Sequence, residues 1–324
     1  MPTISWPAWG TTVSVQTLDP AALPSARRLV ELCLRSGEKV ADAQRPRSEL
    51  SRLSRAAGRP VSVSPLLADL VQAGVEAAEL SDGLCDPTVG NLTTAGRLRA
   101  MQPHGTPLIP VCGNGSATAS RPAVRGWQAL RVQGRQVQVP GCTRLDLSSP
   151  AKAFLAVRAA SHAARSCRTG VLVELGGAVA TAGPSPVGGW RVATDGGVFR
   201  LPSGASLATS HTRGLVDPRT GRPVQSPWHS VTVLGGDCVA AAALALAAHV
   251  IGADAAPWLI DHGVTTARLV TLDGSVVHLG SLATSASSAS TSNTGNTGNT
   301  GKTSRLAIGA DSGPQQGLAL ASAS

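Results

Sequence analysis

Two apolar periodicities alternate along most of this chain, and their alternation constrains the fold more than any other feature. Four segments carry apolar residues at the spacing of a helix that packs on a core: 19–43, 64–80, about 151–166 and 238–250. Five shorter segments have the length and apolar content of strands: 171–175, 190–193, 230–234, 267–272 and 275–279. Helices mixed with short strands predict an α+β or α/β fold.

The composition changes near residue 282. Residues 283–324 are mainly Ser, Thr, Asn, Gly and Ala and include a short Asn-Thr-Gly repeat. Such a segment buries too little apolar surface to offset the entropy lost on ordering, so we expect it to be disordered. The sequence therefore predicts a folded domain over residues 1–282. Within it, residues 103–122 are rich in Pro, Gly and Ser, which predicts a surface insertion.

The overall composition argues against several functional classes. Hydrophobic residues make up 42% of the 324 residues and charged residues 15%, which is typical of a globular protein and excludes a collagen or a coiled coil. The net charge is +9, but the chain has no Tyr and only two Phe. It therefore lacks the aromatic platform that accompanies basic residues in many nucleic-acid-binding proteins, and we expect no nucleic-acid partner.

Targeting signals and cysteine motifs are also missing from the sequence. No run of 18 apolar residues occurs, which predicts no transmembrane segment. The first residues, MPTISWPAWGTT, lack the charged and apolar regions of a signal peptide, so we expect a cytoplasmic protein. The six cysteines are far apart and show none of the paired spacings of zinc or redox motifs. Most of them are expected to be small buried residues.

Four polar, turn-like segments lie between the apolar elements, where a rigid scaffold commonly displays functional groups. They are GLCDPTVG (83–90), DLSSPAK (146–152), ELGGAVATAG (174–183) and LATSHTRGLVDPRTGRP (207–223). Each segment taken alone favours a structural turn, because Asp-Pro and Gly-Gly are common turn formers. Their order and spacing carry more information than any one of them.

From WGTT at 9–12 to about residue 280, the chain resembles the FAD:protein FMN transferase family, also called ApbE. The segments that carry the resemblance are WGTT, SELSRLS (48–54), VSPLL (63–67), the four segments above and SVTV (230–233). The resemblance implies an α+β fold with a flavin cleft between two lobes. It also implies FAD as substrate, Mg²⁺, and transfer of FMN to a Ser or Thr of a partner flavoprotein with release of AMP.

The resemblance assigns roles to single residues of this chain. It implies that Asp86 lies near the bound dinucleotide, with Leu84 and Cys85 beside it. It implies further that Asp146 contacts FAD and that Ser149 contributes an oxygen to the metal. Lys152 is placed where its charge compensates phosphate or, equally, points into solvent. Trp9 replaces the family's usual Met and keeps an apolar wall for the flavin, whereas Gln44 stands where an aromatic ring often stacks.

The chain departs from the family at the metal site. The resemblance places the family's ligating Asp and Thr, which lie four residues apart on a helix, at Ala242 and Leu246. Neither side chain carries a metal ligand, so we expect reduced or lost activity. Asp237, earlier in the same segment, is interpreted as a helix cap. Gly214 occupies the position of a family His, and the shortened loop leaves His211, interpreted as a solvated side chain.

Two functions from different classes follow. The first is FMN transfer from FAD to a partner flavoprotein, with impaired activity. The alternative is a non-catalytic paralogue that binds FAD or a partner protein and keeps the cleft without turnover. A weaker third interpretation is an interaction protein that has also lost the flavin and works through its basic surface and tail.

Overall fold

The computed structural model describes residues 1–43, 45–93 and 126–280. The insertion predicted at 103–122, Gln44 and the tail predicted at 283–324 lie outside these residues. The helices are α1 (Leu23–Ala41), α2 (Glu49–Ser54), α3 (Pro65–Leu80), α4 (Ser148–Cys167), α5 (Cys238–Ile251) and α6 (Ala255–Asp261). The four predicted helices are confirmed as α1, α3, α4 and α5, with ends within about four residues of those expected.

The strands of the described residues form three sheets. They are β1 (Thr3–Ala8), β2 (Thr11–Thr17), β3 (Val61–Ser62), β4 (Arg131–Gln133), β5 (Gln136–Gln138), β6 (Val171–Leu175), β7 (Ala178–Ala182), β8 (Trp190–Thr194), β9 (Gly197–Leu201), β10 (Ser206–His211), β11 (Trp228–Gly235), β12 (Thr266–Thr271) and β13 (Val276–Leu279). The five predicted strands are confirmed as β6, β8, β11, β12 and β13.

The main sheet has eight strands in the order β1-β2-β6-β7-β10-β11-β12-β13, and every adjacent pair is antiparallel. Strands β8 and β9 form a separate hairpin, and β3, β5 and β4 form a small third sheet. An antiparallel sheet with helices beside it is an α+β arrangement, so the structure decides between the two classes that periodicity left open.

The central strands are buried on both faces. In β6, Val171 and Val173 belong to the large core that the helices share, whereas Leu172 belongs to a second core. Trp190 and Phe199 of the β8–β9 hairpin complete that second core. Because successive strand residues point to opposite faces, a strand buried on both sides is a continuous apolar run. The molecule is therefore layered as helices, sheet and hairpin.

Helix caps follow the rules read from the sequence. The Ser64 hydroxyl accepts a hydrogen bond from the Leu67 N–H at 3.3 Å, and Pro65 occupies the first turn of α3. The Asp237 carboxylate accepts bonds from the N–H groups of Val239 (2.7 Å) and Ala240 (3.3 Å) at the start of α5. The prediction that Asp237 is a cap is confirmed.

Helix α5 lies in the core. The span Cys238–Asp261, which includes α5 and α6, has the length and apolarity to cross a membrane, but 61% of its most apolar window is buried within the protein. A core helix of a globular protein has the same properties. The alanines of α5 allow close contact with α3, α4 and β10.

The cysteines only partly match the expectation. Cys85 and Cys238 are buried, whereas Cys33 and Cys167 are half-buried, and all four are free. Cys142 is exposed in a turn after β5 and forms a disulfide. Disulfides are typical of oxidising compartments rather than the cytoplasm. A cytoplasmic location therefore stays a prediction.

Two backbone hydrogen bonds join the segments GLCDPTVG and DLSSPAK. The Asp146 N–H donates to the Pro87 carbonyl at 2.8 Å, and the Gly90 N–H donates to the Arg144 carbonyl at 3.0 Å. A Cβ on Gly90 would lie 2.5 Å from the Arg144 oxygen and 2.8 Å from its carbonyl carbon. The second bond therefore requires glycine at position 90.

Replacing Gly90 by Ala should separate the two segments. Because the obstacle is backbone rather than a flexible side chain, we expect the Gly90→Ala variant to lose about 1–3 kcal/mol of unfolding free energy, measured by urea denaturation. The matched control is Gly236→Ala, where no heavy atom lies within 4 Å of the added Cβ. Equal stabilities of the two variants would contradict the packing argument.

A buried histidine connects α5 to the loop after β10. His249 Nε2 donates to the Ser210 carbonyl at 2.9 Å, and Nδ1 lies 3.1 Å from the Ser226 hydroxyl and 3.2 Å from that of Thr212. The Thr212 hydroxyl donates to the Trp228 carbonyl, so Ser226 is the donor to Nδ1. This arrangement holds a neutral ring. Burial, more than any other cause, lowers the pKa of His249.

The lowered pKa of His249 predicts a pH-dependent stability. The unfolded state, with a His pKa of about 6.5, takes up a proton before the folded state does. The stabilisation is therefore complete above about pH 6.5 and is lost as the pH falls below it. We expect the difference in unfolding free energy between the wild type and His249→Gln to shrink between about pH 7 and 5. Parallel pH profiles of the two proteins would refute this.

Candidate functional site

A cleft of about 190 Å³ opens beside the N-terminus of α4. Four parts of the chain line it: residues 84–89 with Thr93, residues 146–150, the loop residues 213–216, and Leu246 of α5. The two turn-like segments 83–90 and 146–152 therefore meet at one site, together with part of 207–223. Three of the four polar segments identified in the sequence thus supply residues to the lining of the cleft.

Asp146 shapes the start of α4. Its Oδ1 accepts hydrogen bonds from the Ser148 N–H at 3.0 Å and from the Ser148 hydroxyl at 2.5 Å. Ser149, in the first turn of the helix, also lines the cleft. The Ser148 N–H is thus paired and Pro150 has no N–H, which leaves the Ser149 N–H, at the positive end of the helix dipole, to attract an anion. This end of the cleft is suited to a phosphate group.

Asp86 lies in the same cleft. Its Oδ1 accepts bonds from the Thr88 N–H at 2.7 Å and the Thr88 hydroxyl at 2.6 Å. Burial raises the pKa of Asp86, although the hydrogen bonds from Thr88 and from the backbone N–H of Trp127 oppose the rise. Asp86 is therefore a more basic carboxylate than a solvated one, which suits a group that accepts a proton.

Apolar residues surround Asp86. Leu84 is 5% exposed and Cys85 is 7% exposed, and both line the cleft. Burial, and then the charges of Asp146 and Asp86, raises the pKa of Cys85 to about 12. The thiol therefore stays protonated and acts as an apolar wall rather than as a nucleophile.

Trp127 packs on the same segment. Gly83 has φ of +79°, and a Cβ there would lie 2.7 Å from Trp127 Nε1. This indole N–H is buried and has no hydrogen-bond partner in the described part of the chain. The sequence analysis did not identify Trp127, which lies more than 40 residues beyond Gly83 in the chain.

Two residues assigned by the resemblance lie outside the lining of this cleft. The Trp9 N–H donates to Glu38 Oε1 and its indole Nε1–H donates to the Leu34 carbonyl, both at 3.0 Å, so the ring packs on α1. Lys152 lies beside the β6–β7 turn, where a Cβ on Gly176 would be 3.2 Å from its Nζ. Their roles toward a flavin stay predictions.

The shortened loop brings a cation to the cleft. Arg213 lines it, next to Gly214, whose φ of +81° lets the loop turn there. The sequence showed the shortened loop but did not assign Arg213 a role. His211, which was interpreted as solvated, is 52% exposed at the end of β10, and its Nε2 also lies 3.1 Å from Asp195 Oδ2. The sequence did not predict this contact, because it did not indicate the position of the hairpin that carries Asp195.

A sequence model described as the ApbE family matches residues 9–269, which include every strand of the main sheet from β6 to β11 and all of the cleft. This chain belongs to the ApbE family. The α+β fold expected from the resemblance is confirmed.

Curated proteins named FAD:protein FMN transferase are similar in sequence. The chain is 27% identical over 277 residues to the one from Vibrio cholerae, covering 77% of this chain and 81% of that protein. It is 31% identical over 243 residues to the one from Rhodobacter capsulatus, covering 68% of this chain and 45% of that protein. The chain thus spans about half the length of the second relative.

Solved ApbE structures share the fold. The apo form of the Pseudomonas stutzeri flavinyl transferase ApbE gives a TM-score of 0.71 at 22% identity, covering 86% of this chain and 95% of that one. The Vibrio cholerae flavin transferase ApbE gives 0.66 at 23% identity, covering 86% and 96%. At these identities the likeness is one of fold.

The residues that the resemblance places at the metal positions of the family supply few oxygen ligands. Leu246 lines the cleft, and Ala242, one turn earlier on α5, is 8% exposed. Ser149 is the single one of the three positions that has a side-chain oxygen. A Mg²⁺ ion requires about six oxygen ligands, and two hydrocarbon side chains supply none. These three positions therefore do not fit a divalent cation.

Proposed function

We propose that this chain binds FAD in the cleft and transfers its FMN part to a Ser or Thr hydroxyl of a partner flavoprotein, with release of AMP. The observation that carries the proposal is the meeting of Asp86, Asp146 and Arg213 beside the first turn of α4. The named relatives support the same activity. The absent ligands at positions 242 and 246 make this a slow transferase.

The transfer is a phosphoryl-type substitution. The acceptor hydroxyl oxygen forms a bond to the FMN phosphorus, and the bond from that phosphorus to the oxygen bridging to AMP breaks, so AMP leaves. The hydroxyl proton goes to Asp86, whose pKa is raised by burial. The Ser149 N–H at the start of α4 and the Arg213 guanidinium, which both line the cleft, bind the pyrophosphate charge.

Magnesium has no assigned step in this mechanism. A hard cation left with the Ser149 hydroxyl and water would be held weakly. Arg213 is the cationic side chain among the described residues that line the cleft, and a guanidinium can bind two phosphate oxygens at once. It lowers the charge repulsion between nucleophile and phosphate.

The second candidate is a non-catalytic paralogue that binds FAD or a partner protein. The observation that favours it is the hydrocarbon side chain of Leu246 in the cleft where a ligand oxygen would lie. Such a surface accommodates a nucleotide by apolar contact and provides no charge for turnover. The transferase and an FAD-binding paralogue both bind FAD, but only the transferase releases AMP.

FAD titration of the full chain separates these functions. We expect quenching of flavin fluorescence on binding, with little change between Mg²⁺ and EDTA, and slow AMP release with water or an added Ser/Thr peptide as acceptor. Binding without AMP release would favour the paralogue. Absence of FAD binding would refute the transferase and the FAD-binding form of the paralogue. Activity that depends strongly on Mg²⁺ would show that other residues ligate the metal.

The same FAD titration also tests whether Arg213 binds the ligand. Arg213→Ala should weaken FAD binding about tenfold, which corresponds to about 1.4 kcal/mol and is typical of one charge-assisted hydrogen bond. The control is Arg222→Ala, an exposed arginine of the same loop that lies outside the cleft lining. Equal affinities of the two variants would remove Arg213 from the binding site.

Restoring oxygen ligands tests the metal argument. The double variant Ala242→Asp, Leu246→Thr should release AMP from FAD at least tenfold faster than the wild type with Mg²⁺, and EDTA should abolish the gain. The control pair, Ala242→Asn with Leu246→Val, has similar shapes without the carboxylate and hydroxyl. Circular dichroism checks that both double variants fold. If both fold and neither releases AMP faster than the wild type, the cleft differs from that of a transferase in more than its metal ligands.

A further inference from the structure

A second group of polar side chains lies outside the cleft lining, between the main sheet and the β8–β9 hairpin. Asp195 occupies the turn of that hairpin, His211 ends β10 and His229 lies near the start of β11. Strands β10 and β11 are neighbours, and His211 pairs with Ser230 in their register. Three segments distant in sequence thus bring two imidazoles and one carboxylate together.

A β-bulge places the third member. Between Trp228 and Ser230 the register of β11 against β12 shifts, so that His229 is the extra residue. An extra residue in a strand changes the direction of the side chains beside it. In a regular strand, His229 and Ser230 would point to opposite faces of the sheet, whereas here His229 lies on the same side as Asp195 and His211.

The distances fit a single ion. His211 Nε2 lies 3.1 Å and His229 Nε2 lies 3.7 Å from Asp195 Oδ2, and one ligand atom from each of the three residues lies within 4.8 Å of the others. Two ligands about 2.0–2.1 Å from a tetrahedral zinc ion are about 3.3 Å apart. The two observed separations bracket that value. The imidazole centroids are 5.7 Å apart with the rings at 80°, so the rings do not stack.

The exposure of the group also suits a metal. The side chains are 41–57% exposed, so an ion can enter from solvent and keep water in its remaining positions.

We propose that Asp195, His211 and His229 form a binding site for a divalent transition-metal ion, with Zn²⁺ the best fit. Imidazole nitrogens select zinc, nickel, cobalt or copper over magnesium and calcium, which require oxygen ligands. Three protein ligands leave at least one position for water. The site is independent of FAD and of the cleft.

Metal binding at this site links two layers of the fold. Asp195 belongs to the hairpin that covers the second core, whereas both histidines belong to the main sheet. An ion bound to all three holds the hairpin turn against β10 and β11. Because the ion binds the folded arrangement, binding raises the stability of the protein by mass action.

Calorimetric titration of the untagged full chain with ZnCl₂, in excess Mg²⁺, tests the proposal. We expect one Zn²⁺ per chain, and at least a tenfold loss of affinity in each of Asp195→Asn, His211→Gln and His229→Gln. The control is His262→Gln, which removes an imidazole 3.0 Å from Asp82, a pair that has no third ligand among the described residues. It should leave the affinity unchanged.

Thermal unfolding provides the second measurement. Zn²⁺ should raise the melting temperature of the wild type and of His262→Gln, but not that of Asp195→Asn. The three ligand variants change exposed side chains, and their unfolding without metal should match the wild type. Zinc binding that is undiminished in a variant carrying all three substitutions (Asp195→Asn, His211→Gln and His229→Gln) would overturn the proposal. The absence of zinc binding by the wild type would also overturn it.

Discussion

Burial of the central sheet on both faces is the constraint on which the rest of the structure depends. Val171 and Val173 face the helices while Leu172 faces the hairpin, so β6 cannot shift by one residue without exchanging its two cores. The helices and the hairpin are thereby fixed to opposite sides of one rigid layer. The cleft at α4 and the Asp195 cluster at the hairpin are built on that layer.

The cleft depends on contacts between segments far apart in the chain. The backbone bond from Asp146 to Pro87 keeps two carboxylates of the cleft in fixed positions, since it joins the turn before α4 to the turn that carries Asp86. Burial then differentiates them: Asp86 has a raised pKa, whereas Asp146 is held by Ser148 at the helix start. The same cleft displays a hydrocarbon side chain, Leu246, where the resemblance places a metal ligand.

The sequence predicted the elements better than their arrangement. The four long helices, five strands and the Asp237 cap follow from local periodicity and side-chain chemistry, which a single segment contains. Strands β2 and β10 were not predicted, because Thr, Ser and Ala make up much of both and leave no continuous apolar run. The roles of Arg213 and Asp195 depend on loops and on a β-bulge at His229, and these are set by tertiary contacts. The family resemblance located Asp86, Asp146 and Ser149 at the cleft, because those positions lie in motifs, but the packing of Trp9 on α1 required the structure.

The contact between Trp127 and Gly83 gives the protein its own spectroscopic probe. The chain has no tyrosine, so its near-ultraviolet emission comes from six tryptophans. The Trp127 indole is packed on the segment that carries Asp86, and its buried N–H has no partner in the described residues. An indole in that position responds to a change in local polarity. A ligand that binds beside Asp86 can therefore be detected through the emission of the native protein, without a label.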